Sequence, residues 1–185
     1  MKIKRLIVGI EEPENCYCIS ENDHAILIDP GSHPKKILKY LEKEELELDY
    51  ILITHGHYDH FMAVDKIVDK YHCPVYMHPL DTIFLKYDKK IEGSNTMKTK
   101  TTDFPKSLCF QTCPITVLHT PGHSEGSCCF IIQQSIFSGD IIFKDGIGRY
   151  DLYGGDKKDL ENSLQEIRHY SSYMCYPGHE EPFKL

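Results

Sequence analysis

Several features of membrane and secreted proteins are missing from this chain. It contains no tryptophan and no apolar run approaching the roughly 20 residues that a membrane-spanning helix needs. Near the amino terminus, Lys2, Lys4 and Arg5 precede an apolar stretch, Leu6 to Ile10, that is too short for the core of a signal peptide. We therefore expect no membrane association and a cytoplasmic location.

Positive charge is also scarce. The chain has 21 lysine and arginine residues against 28 aspartate and glutamate residues, which gives a formal net charge of -7. Because nucleic-acid binding requires clustered cations to neutralise phosphates, this balance argues against a nucleic-acid partner.

The eight cysteines lack the paired C-x-x-C spacing of a structural zinc site. Cys16 and Cys18 are two residues apart, and Cys128 and Cys129 are adjacent. Without a signal peptide, reduced thiols are expected rather than disulfides. We interpret most of these cysteines as small buried hydrophobic residues.

What remains is the composition of an ordinary globular protein, with 185 residues, 41% hydrophobic and 26% charged. No shift in composition marks a boundary, so residues 1–185 are predicted to form a single domain. Apolar strand patterns are followed twice by helical patterns, which favours an α/β fold with two sheets packed inside helices. Helices are predicted over Pro34–Glu44, His60–Tyr71 and Lys157–His169, the last with Asp156 as its N-cap.

The segment 81–106 has a weak pattern with several lysines and Gly93. It is predicted to be an exposed loop, either a plain surface excursion or a lid that contacts substrate.

One motif concentrates groups that bind metals. A predicted apolar strand, Tyr50–Thr54, runs directly into His55, His57, Asp59 and His60. Imidazole and carboxylate are ligands that zinc and iron accept. His55 and His57 can point one way from an extended turn, while Asp59 and His60 can reach a neighbouring ion. The spacing predicts two metal ions, and the alternative is a histidine-rich surface turn.

The motif from Thr54 to His60 resembles the signature of the metallo-β-lactamase fold superfamily. Three later segments look like its remaining ligand segments: Thr120–Ser124, Phe137–Asp140 and Tyr176–His179. The resemblance implies a four-layer αβ/βα fold, with two mixed β-sheets sandwiched between helices. It also implies two divalent metal ions, zinc in the first instance, with iron or manganese as alternatives. The implied ligands are His55, His57, His123 and Asp140 for one ion, and Asp59, His60, Asp140 and His179 for the other.

The same resemblance suggests residues around the ions. Asp29 lies where the family has a carboxylate behind the metal ligands, and it could accept the other N–H of a metal-bound histidine; the alternative is a plain turn aspartate. In the glyoxalase II group and the persulfide dioxygenases, the stretch that includes Arg149 and Tyr150 holds substrate. Arg149 could bind a substrate carboxylate or instead pair with Asp145 or Asp151. Tyr150 departs from the more usual threonine.

Within the superfamily, the chain looks most like the short, single-domain glyoxalase II-like proteins. It ends six residues after His179, so we expect no helical C-terminal glutathione-binding domain. The resemblance implies a hydrolase acting on a small-molecule thioester or ester through a hydroxide bridging two metal ions, with Asp59 as the catalytic residue that orients it. The alternatives are a mononuclear iron persulfide dioxygenase using His55, His123 and Asp140, and a lactone or other ester hydrolase. The oligomeric state stays open.

Overall fold

Two β-sheets form the centre of the molecule. The computed structural model describes residues 1–9 and 13–185; Ile10, the end of the short apolar stretch, lies outside the described residues. The described chain contains eleven strands: β1 (Lys2–Val8), β2 (Glu14–Glu21), β3 (His24–Ile28), β4 (Glu47–Leu52), β5 (Val75–Tyr76), β6 (Leu108–Phe110), β7 (Cys113–His119), β8 (Cys128–Ile132), β9 (Ser135–Gly139), β10 (Met174–Pro177) and β11 (Phe183–Lys184).

Both sheets are mixed. The first has the order β1-β2-β3-β4-β5, in which β3, β4 and β5 are parallel neighbours and the other pairs are antiparallel. The second has the order β11-β10-β9-β8-β7-β6, and only β9 and β10 are parallel neighbours.

Helices cover the outer faces of the two sheets. The three α-helices of the described chain are α1 (Pro34–Lys43), α2 (Val64–Tyr71) and α3 (Lys157–Ile167). One apolar cluster packs α1 and α2 on the first sheet, a second fills the space between the sheets, and a third packs α3 on the second sheet. The predicted four-layer αβ/βα fold is therefore confirmed.

The alternation of side chains along a strand allows one strand to contribute residues to two apolar clusters. In β2, Cys16 and Cys18 join the cluster under the helices, whereas Tyr17 and Ile19 join the cluster between the sheets. Successive residues of a strand point to opposite faces, so a continuous apolar run is required where both faces are covered. All eight cysteines are free, and six of them are buried, as the sequence predicts for most of them.

Two predicted elements differ in detail, and one predicted helix cap is confirmed. The strand before the histidine motif is β4, which begins at Glu47 and ends at Leu52. The helix predicted from His60 is split into a 3₁₀ turn, Tyr58–His60, and α2, because the residues of the motif lie in the tighter turn. The N-cap of α3 is confirmed, since the Asp156 carboxylate accepts a hydrogen bond from the backbone N–H of Asp159 at 2.9 Å.

The prediction of an exposed loop over 81–106 is wrong in part. This segment begins inside a 3₁₀ helix, Pro79–Leu85, and Asp81, Phe84 and Met97 are buried. Its polar composition conceals this burial because the polar groups find partners inside the protein. None of the described helices is long and apolar enough to span a membrane. The assignment of residues 1–185 to one domain stays a prediction.

Candidate metal centre

The histidines and aspartates of the motifs meet at one edge of the two sheets. His55 and His57 follow β4, His123 follows β7, Asp140 follows β9 and His179 follows β10. Within the second sheet, β7, β9 and β10 run in the same direction, because β8 is antiparallel to both β7 and β9 and β9 is parallel to β10. Residues that follow these strands therefore converge at the same end.

The first group consists of His55, His57 and His123, all buried. The Nδ1 atom of His57 lies 3.1 Å from His55 Nε2 and 2.9 Å from His123 Nε2. Three ring nitrogens thus point at one small volume, and we call these residues the histidine trio.

The second group consists of Asp59, His60 and His179. Asp59 Oδ2 lies 3.3 Å from His179 Nε2 and 3.6 Å from His60 Nε2. These ligand atoms, like those of the histidine trio, all lie within 4.8 Å of one another. We call these residues the mixed group.

Asp140 lies between the two groups. Its Oδ2 is 3.7 Å from His123 Nε2 and 3.5 Å from His179 Nε2, and its Oδ1 is 3.5 Å from His60 Nε2. One carboxylate therefore faces a histidine of the trio and two histidines of the mixed group.

Unsatisfied buried atoms show that this site fits metal ions. Six side-chain atoms of the described residues are buried without a hydrogen-bond partner, and three of them belong to this site: His57 Nε2, His60 Nε2 and Asp140 Oδ1. Buried polar atoms are nearly always paired, and exceptions call for an explanation such as an ion. Imidazole nitrogens and carboxylate oxygens that converge in this way are a donor set suited to zinc or iron.

Most of the ring nitrogens that point away from the site meet oxygen acceptors. His123 Nδ1 lies 2.7 Å from the Arg149 carbonyl, and His179 Nδ1 lies 2.7 Å from the Pro13 carbonyl. His55 Nδ1 lies 3.1 Å from Thr54 Oγ1. Such contacts fix the orientation of a metal-binding ring and leave the other nitrogen free to bind.

Asp29 lies directly behind this site and is only 2% exposed. Its Oδ2 is 3.0 Å from His60 Nδ1 and accepts a hydrogen bond of 2.6 Å from the Thr54 hydroxyl, while its Oδ1 accepts from the Thr54 backbone N–H at 2.8 Å. The Asp29 carboxylate thus contacts His60 directly and reaches His55 through Thr54. Its role in supporting a bound metal stays a prediction.

Burial keeps two histidines of the trio neutral. It lowers the pKa of His55 well below its usual value, with smaller contributions from His60 and His123. Burial and the neighbouring His123 also lower the pKa of His57 to about 3. Neutral imidazoles present lone pairs, which is the form that binds metals.

The mixed group favours positive charge. Burial opposes protonation of His60, but Asp140, Asp59 and Asp29 together raise its pKa well above the usual value. The pKa of His179 is likewise raised to about 11, because hydrogen bonds to Asp140 and Asp59 outweigh burial. Burial alone would raise the pKa of Asp140, yet His60 and His179 hold it well below its usual range. Ionised carboxylates here are suited to a divalent cation.

A cleft of about 390 Å³ opens over both groups. Its described lining includes the predicted substrate residue Arg149 but not Tyr150, which is exposed on the surface. Of the two geometries considered for Arg149, the structure contains the pairing with Asp151, in which Nε and Nη2 donate to the two carboxylate oxygens at 3.0 and 3.2 Å. Glu92 Oε1 lies 3.7 Å from the remaining guanidinium nitrogen, Arg149 Nη1. A role of Arg149 or Tyr150 in binding substrate stays a prediction.

Sequence reasoning missed several residues that orient the site. Asp81 accepts hydrogen bonds from the loops that carry the histidine trio; burial raises the pKa of its carboxyl group and these donors oppose the shift. Gly93 packs against the ring of His57. The backbone carbonyl of Arg149, rather than its side chain, contacts His123. A carboxylate in a polar stretch and a backbone carbonyl leave no distinctive pattern in a sequence.

Comparison with known proteins agrees with this geometry. The family model of the metallo-beta-lactamase superfamily matches residues 9–179. A Bacillus subtilis protein described as the probable metallo-hydrolase YqgX is 33% identical over 177 residues, which cover 90% of this chain and 83% of that protein.

Two solved structures are similar over almost the whole chain. BLEG-1 B3 metallo-beta-lactamase has a TM-score of 0.90 and 31% identity, covering 98% of this chain and 93% of that one. TTHA1623, solved in a di-iron-bound form, has a TM-score of 0.86 and 31% identity, covering 98% of this chain and 94% of that one. These similarities support an enzyme of the metallo-hydrolase type, and the chain belongs to the metallo-β-lactamase superfamily.

Proposed function

We propose that this protein is a glyoxalase II-like thioesterase that uses two divalent metal ions, with zinc as the expected metal. The observation that carries the proposal is the position of Asp140, whose two oxygens face both the histidine trio and the mixed group at 3.5–3.7 Å. A carboxylate in this position can serve two adjacent ions, and such pairs are typical of hydrolytic sites.

The residues divide into two ligand sets that share Asp140. The histidine trio with Asp140 would hold one ion, and the mixed group with Asp140 would hold the other. The raised pKa values of His60 and His179 mean that an ion in the mixed group would displace protons from these rings on binding. When bound, two such ions would supply a water of lowered pKa as nucleophile and an electrophile for the carbonyl oxygen of the substrate.

The catalytic role proposed for Asp59 rests on its charge and position. Burial alone would raise its pKa, but His60 and a hydrogen bond from His179 lower it, so the carboxylate is ionised near neutral pH. Asp59 also lines the cleft. Its carboxylate can therefore accept a hydrogen bond from an attacking water and orient it toward a substrate carbonyl.

The groups around the cleft favour a thioester substrate over an amide substrate. A thiolate leaves without the strong general acid that an amine leaving group requires, and the titratable groups nearest the centre are already placed as ligands. The apolar side chains of Phe143, Ile147 and Leu152 line one part of the cleft and could contact the acyl group. Lactones and other esters also require a nucleophilic water and an electrophile for the carbonyl oxygen, so they belong in the substrate screen.

A specific observation favours two ions over the single iron of a persulfide dioxygenase. Such an enzyme would need only His55, His123 and Asp140, whereas here Asp59, His60 and His179 converge as a further group. The similar protein TTHA1623 was solved with two irons, which supports the number of ions and leaves zinc or iron to be decided by measurement.

The first test is elemental analysis of protein purified without added metal or chelator, combined with hydrolysis assays on thioesters, lactones and simple esters. We expect close to two ions per chain and turnover of a thioester. His57→Ala and Asp140→Ala should each abolish turnover while the circular dichroism spectrum is retained. The matched control is His169→Ala, which removes an exposed histidine outside both groups and should leave turnover unchanged.

Two outcomes would contradict the proposal. One is retained turnover in purified His57→Ala or Asp140→Ala. The other is a single iron per chain together with oxygen consumption on a persulfide and no thioester hydrolysis, which would indicate the dioxygenase instead.

A further inference from the structure

Asp81 is a buried carboxylate, and none of the groups that donate hydrogen bonds to it in the described part of the chain is positively charged. Its side chain is 0% exposed, and it lies in the 3₁₀ helix Pro79–Leu85. Burying an ionised group is costly unless hydrogen bonds replace those made with water. Such a position therefore calls for well-placed donors.

Three donors satisfy this carboxylate, each at 2.7 Å. Asp81 Oδ2 accepts hydrogen bonds from the Gly56 backbone N–H and the Ser124 hydroxyl, and Oδ1 accepts from the Gly126 backbone N–H. Charge-assisted hydrogen bonds of this length are among the stronger ones in proteins.

The positions of these donors in the chain connect Asp81 to the histidine trio. Gly56 lies between His55 and His57, and Ser124 directly follows His123. A single carboxylate therefore joins the two loops whose ring nitrogens, His57 Nδ1 and His123 Nε2, lie 2.9 Å apart. These loops follow strands of different sheets, so Asp81 ties the sheets together at the point where the trio assembles.

Two further contacts fix the same arrangement. Phe84, one 3₁₀ turn after Asp81, packs edge-on against the ring of His57 at a centroid distance of 5.0 Å. Gly126 approaches Asp81 so closely that a Cβ atom there would lie 2.6 Å from Asp81 Oδ1. The short helix thus holds both the backbone and one ring of the trio.

We propose that Asp81 is a positioning residue that sets the separation of the two histidine loops and thereby the metal affinity of the histidine trio. This inference rests on the proposed metal centre, but Asp81 itself is not a ligand, because its oxygens are occupied by three donors. The alternative is that Asp81 contributes only to general stability.

Asp81→Asn is the informative variant, because it preserves shape and replaces one acceptor oxygen with an amide that donates. At least one of the three donors then faces another donor. The matched control is Asp65→Asn, because Asp65 also accepts from three donors, the N–H groups of Lys98 and Thr99 and the Thr99 hydroxyl, but joins α2 to the 81–106 segment away from the trio.

Metal affinity, measured by zinc competition with a chromophoric chelator, separates the two roles. We expect affinity to fall roughly 10–100-fold in Asp81→Asn, as for other residues that orient ligands, and to stay unchanged in Asp65→Asn. The visible absorption of bound cobalt(II) should change only in Asp81→Asn. Unchanged affinity and spectrum in folded Asp81→Asn, or an equal loss in Asp65→Asn, would overturn the proposal.

Two further measurements test the proposal if the wild-type protein binds no metal or if Asp81→Asn does not fold. In the metal-free protein, amide hydrogen exchange of Gly56 and Gly126 should be about tenfold faster in Asp81→Asn, as expected for a weakened hydrogen bond. This readout stays valid if the wild-type protein binds no metal, which would contradict the proposed function instead. If Asp81→Asn does not fold, Ser124→Ala removes a single donor and should lower zinc affinity by a smaller factor; wild-type affinity in that variant would overturn the proposal.

Discussion

Replacing Asp29 with asparagine should weaken the hydrogen bonds that support the metal site while leaving every candidate metal ligand in place. The Asp29 carboxylate accepts hydrogen bonds from the Thr54 N–H and hydroxyl and contacts His60 Nδ1, all between 2.6 and 3.0 Å. Its backbone has φ of 49°, a conformation that asparagine adopts about as readily as aspartate. The substitution therefore changes the hydrogen bonding with little effect on the backbone.

The magnitude follows from the number of donors left unpaired. An amide has one oxygen, so whichever way it is oriented, its NH₂ group faces at least one donor that the carboxylate accepted. A buried donor without a partner costs about 1–3 kcal/mol. For a domain of this size each kcal/mol lowers Tm by roughly 2–4 °C, so we expect Tm to fall by roughly 2–12 °C. Because an amide is a weaker acceptor for His60 Nδ1 than a carboxylate in either orientation, metal affinity at the mixed group should fall roughly 10–100-fold.

The assay is thermal unfolding of metal-free protein, followed by metal content after dialysis against a weak chelator. Asp23→Asn, at an exposed turn, is the control and should match wild type in both. The metal content of Asp29→Asn should fall from two toward one per chain while the wild type retains both. An unchanged Tm and unchanged metal content in Asp29→Asn would refute the reasoning.

Three other predictions concern separate parts of the structure. Gly93→Ala should lower both stability and turnover, because Gly93 has φ of +86° and a Cβ there would overlap the His57 ring; the left-handed backbone alone costs about 1–2 kcal/mol, and Gly146→Ala, with open space around it, should change neither. Cys109 is the one exposed cysteine among the described residues, and Cys113 is half-buried. Cys109→Ser should therefore remove the fast phase of labelling by Ellman's reagent, and persistence of that phase would contradict the structure. The hydrogen bond to Asp49 raises the pKa of His24, so the pair stabilises the fold below the unfolded pKa and loses this effect as pH rises through the folded value; His24→Gln should therefore lower Tm more near pH 5 than near pH 9, and an equal loss at both would exclude this ion pair.

The sequence was sufficient for the fold and the candidate ligands because both have local patterns. The continuous apolar run in β2 indicates a strand covered on both faces, and Cys16 and Tyr17 do face different layers. The histidines and aspartates each follow a predicted strand, and strand ends meet at a sheet edge. The grouping of His55, His57 and His123 comes from the resemblance of their segments to the ligand segments of the superfamily, because strand ends alone do not indicate which histidines share an ion.

The groups that orient the ligands could not be predicted because they depend on distant parts of the chain. His179 contacts the carbonyl of Pro13, 166 residues away, and His123 contacts the carbonyl of Arg149. Every residue has a backbone carbonyl, so the sequence does not indicate which carbonyl contacts a histidine ring. Asp81 falls within the predicted exposed loop because a buried carboxylate that accepts from backbone N–H groups looks the same in sequence as a solvated one.

Asp29 and Asp81 are carboxylates that act on opposite ends of one short segment, so their effects should be coupled. Asp29 holds Thr54, and Asp81 holds Gly56, while His55 lies between them. Substitutions at residues that share a partner segment are usually not additive. Once one anchor is lost, the segment can relax, and losing the second should cost less. In a double-mutant cycle of Asp29→Asn and Asp81→Asn, the loss of zinc binding free energy should be smaller than the sum of the single losses. Strict additivity would mean that each aspartate acts only on its own group of ligands, and that the segment from Thr54 to Gly56 does not transmit strain between them.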